Sequence, residues 1–214
     1  MKKITLLSSI FMFVFCSLSY GQEIGYGFKL GLNVSQINSF SFDIVNTAGD
    51  TPRQGGFDSQ EGSRIGFAAS FFAEIPLSER LSFQPEFAYS AQGNKFEGLR
   101  YEYLQLPLGL KINLDKFFVN VGPQAGLKIS AFEQSANFTS FEFSGFGGFG
   151  YQFTENIFVE ARYTIGFTDV FEDDAAVVLP LFSQTADITP NTDNILTNAE
   201  GKNSYFTISI GYRL

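Results

Sequence analysis

Eight stretches of this 214-residue chain alternate apolar and polar residues for 10 to 14 residues at a time. That alternation constrains the fold more than anything else in the sequence. A period of two sends successive side chains to opposite faces of a strand, so each stretch has an apolar face and a polar face. The stretches are 25–34, 63–75, 80–92, 101–114, 117–129, 141–153, 157–168 and 204–214. In the fourth, Leu104, Leu106, Leu108, Leu110 and Ile112 fall on one side, with Gln105, Gly109, Lys111 and Asn113 on the other. Strands of soluble proteins average about 5–6 residues. A tilted strand needs about 9–11 to cross a bilayer. The 27 Phe and 9 Tyr favour strands, the 21 Gly disfavour helix interiors, and no capped amphipathic helix is evident.

The connections alternate as regularly as the residues. Three are short and polar: Pro76 to Glu79, Asp115-Lys116, and Thr154 to Asn156. The others are long: Ile37 to Gly62, Gly93 to Arg100, Ser130 to Ser140, and Asp169 to Asn203. Short turns at one end and long loops at the other mark bacterial outer-membrane barrels. The sequence therefore predicts an all-β fold: an eight-stranded antiparallel up-and-down transmembrane β-barrel with a packed polar lumen. An even strand number returns the C-terminus to the side of the N-terminus, and the short turns put both termini in the periplasm.

The choice of face separates this fold from a soluble barrel, which turns its apolar face inward. Here the apolar set is bulky on every strand, while the opposite set is polar or small, as a narrow eight-stranded interior requires. The last strand alternates Phe206, Ile208, Ile210, Tyr212 and Leu214 up to the final residue, as terminal strands of outer-membrane barrels do. Tyr26, Tyr89, Tyr103, Tyr151, Tyr163 and Tyr212 fall near strand ends and are expected in interfacial girdles.

Residues 1–21 read as a cleavable signal peptide, and residues 22–214 as the barrel. Lys2 and Lys3 precede an apolar run from Leu6 to Leu18, and small residues stand before a cut after Gly21. The one cysteine, Cys16, would leave with the signal, which excludes disulfides and thiolate metal sites. Removing Lys2 and Lys3 from 14 basic residues leaves 12 against 22 acidic ones, a net charge of −10. An acidic chain of this kind is no partner for nucleic acid.

Histidine is absent throughout, so neither a Ser-His-Asp triad nor a His-ligated zinc site is possible. No catalytic residues, cofactor or metal are expected. Residues Gly145 to Gly150 match the G-x-G-x-x-G dinucleotide fingerprint, but a strand and a turn follow where a helix would be needed. The charged residues of the polar faces are Lys29, Glu74, Glu86, Lys111, Lys128, Glu160, Arg162 and Arg213. Both signs are present, so they are expected to pair as a structural network inside the lumen, because unpaired buried charge is costly. The connection 169–203 carries seven carboxylates without the spacing of a twelve-residue Ca²⁺ loop, and reads as a solvated acidic loop. Within it, Ala175 to Phe182 is unexpectedly apolar.

Several segments together resemble the PorT-like outer-membrane β-barrels of the Bacteroidetes. They are Gly27-Phe28-Lys29-Leu30-Gly31-Leu32-Asn33, Tyr103-Leu104-Gln105-Leu106-Pro107-Leu108, Val121-Gly122-Pro123-Gln124, Glu160-Ala161-Arg162-Tyr163 with Gly166-Phe167-Thr168-Asp169, and Gly211-Tyr212-Arg213-Leu214. The resemblance spans the chain after residue 21, implies the same barrel, and brings no catalytic residues with it. One member of that family is associated with protein export across the outer membrane, a role that fold alone does not transfer.

The expected function is that of a non-enzymatic structural or interaction barrel of the cell envelope. Its partners would be outer-membrane lipid and an envelope protein, met through the external loops or the outer wall. The alternatives are a small passive pore or transporter, and a soluble lipocalin-like lipid-binding barrel.

Overall fold

The computed structural model describes residues 23–46, 53–56, 63–94, 100–131, 138–171 and 194–214. The expected signal peptide and the apolar stretch Ala175 to Phe182 lie outside these residues, as does 172–193 of the acidic connection. The strands are β1 (Gly25–Asn46), β2 (Arg53–Gly56), β3 (Arg64–Pro76), β4 (Leu81–Gly93), β5 (Arg100–Leu114), β6 (Phe117–Ala131), β7 (Phe141–Gln152), β8 (Ile157–Asp169) and β9 (Asn194–Arg213). No helix occurs among the described residues.

Eight of these strands close a barrel. From β3 to β9 each strand pairs antiparallel with the next, and β1 pairs with both β3 and β9. The closing seam is long, running from Gly27 opposite Arg213 to Asn46 opposite Asn194. Closure leaves no free edge within the barrel wall, which lipid requires because it offers no partner to an unpaired backbone N–H or C=O.

Local chemistry sets the three tight turns. Leu77 and Ser78 donate their N–H groups to the Leu81 carbonyl at 2.7 and 3.0 Å. Asp115 takes φ 55° in the two-residue turn between β5 and β6, a left-handed conformation that Asp tolerates better than most residues. Thr154 Oγ1 accepts the N–H of Ile157 at 2.9 Å between β7 and β8. The barrel ends of β1 and β9 sit with these turns, since Leu214 N donates to Tyr26 O and Arg213 N to Asn156 O.

At the other end β1 and β9 run on past the wall. β1 loses β3 after Ser35, and β9 leaves β8 at Lys202. The two continue together as a ribbon, with register shifts near Ser41, and β2 pairs with the outer part of β1 from Ser41 to Ile44. This corrects the expected loops at both places: 37–46 and 194–203 are strand. Their Asn and Ser content suggests loop, but the partner strand across the ladder decides, and β-propensity yields to context.

Burial follows the alternation, inside out relative to a soluble protein. Strand β7 reads exposed, buried, exposed, buried along most of its length. Outward side chains such as Ile65, Phe87, Phe143 and Ile208 are more than half exposed. Among the described residues 22 buried side chains are polar or charged, against 12 that are apolar or aromatic. A lipocalin-like barrel would show the reverse.

An aromatic belt surrounds the turn end. Tyr26 stacks on Phe71, Phe28 on Tyr212, and Phe117 meets Phe149 and Tyr151, with ring centroids 5.0–6.2 Å apart. Tyr103 is a correction to the expected girdle. It is 2% exposed and points into the lumen, because Leu104 faces outward and the alternation leaves its neighbour no other side.

Candidate functional site

The lumen is where the alternation of the wall gathers polar chemistry, and it is built in layers. At the turn end Phe72, Phe118 and Phe158 meet edge to face, with centroids 5.6–5.8 Å apart. Each lies directly across from a glycine: Phe72 from Gly27, Phe118 from Gly150 and Phe158 from Gly211. Each ring occupies the space that a Cβ on its glycine would need. The sequence reading expected a lumen of polar and small residues. The small residues are there to admit these rings.

Lys111 stands over this floor, its Nζ 4.5 Å from the centre of the Phe118 ring. It donates to Glu74 at 3.0 Å, and Arg213 reaches the same Glu74 oxygen at 2.6 Å. Four more charges interlock alongside. Lys29 Nζ lies 2.8 Å from Glu86 and 2.9 Å from Glu160. Arg162 Nη2 lies 2.7 Å from each of the same two carboxylates. Gln84 adds a hydrogen bond to Glu86, and the Arg162 guanidinium sits 4.2 Å from the Phe146 ring. Every member of this foursome is buried. Removing one partner from such a set leaves a buried charge uncompensated, which typically costs about 3–5 kcal/mol.

Of the eight charges expected in the lumen, the structure gathers seven into these two groups. Lys128 is the exception. It lies near the far end and donates to the Phe138 carbonyl.

Above the charges comes a layer of neutral polar groups. Asn33 donates to Ser90 and accepts from Thr207. Gln124 donates to the Tyr205 hydroxyl, which donates to Gln105. The remaining cavity, bounded by Lys29, Asn33, Glu86, Gln105, Arg162 and Tyr205, has a volume of about 50 Å³. A water needs roughly 10–15 Å³ on this measure, so the space suits a few waters and no organic solute. Tyr101, Tyr103, Phe138 and Phe171 close the top with ring contacts of 5.4–5.5 Å.

Sequence reasoning missed Glu142, Tyr101 and Tyr205 as lumen residues. The signal was present in the alternation. Phe141 and Phe143 face lipid, so Glu142 faces inward; Phe206 faces lipid, so Tyr205 faces inward. The glycine-rich run 145–150 lies within β7 and leads into a turn and β8, without the helix that a dinucleotide site needs. Among the described residues no three acidic side chains come together as a metal cluster.

A closed eight-stranded antiparallel barrel with an apolar outer wall, an aromatic belt and a salt-bridged lumen defines an outer-membrane β-barrel. The chain belongs to the outer membrane protein beta-barrel domain family, whose family model matches residues 19–172. Among curated proteins none matches the sequence. Several solved structures resemble it. The Neisserial surface protein A has 10% identity and a TM-score of 0.46, over 90% of this chain and 100% of that one. The attachment invasion locus protein Ail of Yersinia pestis, crystallised with a heparin analogue, has 14% identity and a TM-score of 0.45, again over 90% and 100%. The outer membrane protein OprG of Pseudomonas aeruginosa has 14% identity and a TM-score of 0.44, over 91% and 98%.

Proposed function

We propose that this barrel is a non-enzymatic structural or interaction protein of the outer membrane, acting through its outer wall and through the ribbon built on β1, β2 and β9. The observation that carries this reading is the filled lumen. Aromatic side chains close both ends, and buried ion pairs occupy the middle. What the interior cannot pass, the exterior must contact. The ribbon extends the wall by the five residue pairs from Ser41 opposite Glu200 to Asn46 opposite Asn194, on the side away from the tight turns. The lack of any histidine supports a non-catalytic role.

In this reading the tight turns and both termini are periplasmic, and the ribbon is external. The resemblance to PorT-like barrels adds a narrower version, in which the wall or ribbon serves an envelope assembly that exports protein. Lipid is then the first partner and an envelope protein the second.

The decisive experiment separates an inert barrel from a pore. The purified protein, reconstituted in planar bilayers, should give no discrete conductance steps, and should shift mobility between unheated and boiled gel samples. Regular conductance steps would favour the passive-pore alternative. Solubility in plain buffer without a mobility shift would remove the membrane reading. Cross-linking in native cells, followed by pull-down, tests the export-accessory version.

A further inference from the structure

Three prolines stand inside wall strands rather than at their ends: Pro85 in β4, Pro107 in β5 and Pro123 in β6. Proline has no N–H to give to a ladder, which in most sheets confines it to edges and bulges. Here each one interrupts pairing with the strand before it. Between β3 and β4 the ladder stops at Phe72 opposite Glu86 and resumes at Ile75 opposite Phe83. Between β4 and β5 it stops at Pro85 opposite Leu108 and resumes at Ala88 opposite Gln105. Between β5 and β6 it stops at Pro107 opposite Gln124 and resumes at Leu110 opposite Val121. The register is the same on both sides of each gap, so none of the three is a bulge. The ladders between β1 and β3, β6 and β7, and β7 and β8 run without such a gap.

The missing donors all point the same way. Hydrogen bonding alternates along an antiparallel strand, so one bond fixes the side to which each N–H is turned. Leu77 N donates to Leu81 O, Asn113 N to Arg80 O and Gln152 N to Lys116 O. Followed along the register, these bonds turn Pro85 toward Ala73, Pro107 toward Glu86 and Pro123 toward Leu108. The carbonyls of Ala73, Glu86 and Leu108 each lose a donor. Pro85 adjoins Glu86 and Pro107 adjoins Leu108, so the three losses form one continuous row from β3 to β6. Lipid supplies no donor in their place.

The buried ion pairs are anchored on this row. Glu86 is tied across the lumen to Lys29 on β1 and Arg162 on β8. Glu74, next to Ala73, is tied to Lys111 on β5 and Arg213 on β9. The weakened part of the wall is thus held from inside, by struts to strands beyond it. Directly behind the gap between β4 and β5, Glu86, Ala88, Gln105 and Pro107 border the small inner cavity.

We propose that this row is a lateral seam, at which β4 and β5 part beside Glu86 and Pro107, and that the ion pairs of Glu86 with Lys29 and Arg162 are its latch. Parting there joins the inner cavity to the lipid side of the wall. The aromatic floor and cap stay in place, so the seam opens no path across the membrane.

Amide hydrogen exchange of the full chain in lipid nanodiscs, resolved by residue, tests the seam, because exchange reports local opening. In the wild type the amides of Glu86, Ala88 and Gln105 should exchange about tenfold or more faster than those of Glu160 and Ser209, which pair across β8 and β9 beside the same ion pairs. Pro107→Ala restores the missing N–H and should slow the three seam amides several-fold. Glu86→Gln releases the latch and should speed Ala88 and Gln105 several-fold, with Glu160 and Ser209 little changed. The wild-type comparison depends on no variant. Equal exchange in the two regions of the wild type overturns the proposal. So does a Pro107→Ala variant with unslowed seam amides, or a Glu86→Gln variant in which both regions speed up together, which would be general destabilisation.

Discussion

Phe118 on β6 faces Gly150 on β7 across the ladder, and its ring lies where a Cβ at position 150 would have to be. Phe72 with Gly27 and Phe158 with Gly211 repeat the arrangement around the barrel. A ring laid over the glycine across the ladder covers exposed backbone, and it lets three bulky side chains enter a lumen too narrow for them otherwise. The floor of the lumen is thus written in pairs of residues on adjacent strands.

Gly150→Ala therefore should displace the Phe118 ring and disturb the cluster beneath Lys111. Overpacking a filled interior costs typically about 1–3 kcal/mol. The expected result is a lower temperature for the folded-to-unfolded mobility shift on gels. Gly147→Ala is the control. A Cβ there meets only Val121 at 4.0 Å on the outer wall, so its transition should not move. Equal loss in both variants would show that glycine flexibility, rather than ring packing, sets the effect.

The foursome Lys29, Glu86, Glu160 and Arg162 makes a second prediction. Arg162→Met removes one cation and leaves two buried carboxylates sharing Lys29. The expected loss is about 3–5 kcal/mol, seen in denaturant unfolding from micelles. Neutralising a carboxylate as well, in Arg162→Met with Glu86→Gln, should recover a substantial part of it. A double variant no more stable than Arg162→Met would mean that the four charges do not act as a set.

Much of this architecture was legible in the sequence because a membrane barrel enforces a strict period of two on every strand. Lys29, Glu86, Glu160 and Arg162 could be placed inside from parity alone. Two kinds of feature were hidden. Phe72, Phe118 and Phe158 break the rule that apolar residues face lipid, and only the strand register reveals the glycines that accommodate them. Tyr103 was read as a girdle residue from its position near a strand end, although Leu104 beside it fixes the opposite face. The ribbon was hidden for another reason. Pairing between β1 and β9 joins residues more than 140 apart in sequence, such as Asn46 and Asn194, and no local pattern announces it.

The filled lumen also predicts what mutation will not do. Glu160→Ala removes one carboxylate from the foursome but leaves the Phe72 cluster below and the Tyr101, Phe138 and Phe171 cap above. Stability should fall while planar-bilayer conductance stays at baseline. A clear rise in single-channel conductance would place the barrier in the ion pairs rather than in the aromatic ends, and would reopen the pore reading.

The last prediction concerns which side of the membrane the ribbon occupies. The turn at Asp115-Lys116 and the segment between β1 and β2 lie at opposite ends of the barrel. An epitope inserted between residues 47 and 52 should be reached by antibody on intact cells, because it extends the ribbon away from the tight turns. The same epitope inserted after Asp115 should be reached only once the outer membrane is permeabilised. Bacterial outer-membrane barrels keep their short turns on the periplasmic side and their longer loops outside. If the Asp115 epitope were the one labelled on intact cells, the ribbon would be periplasmic. Its partner would then be sought among proteins of that compartment rather than at the cell surface.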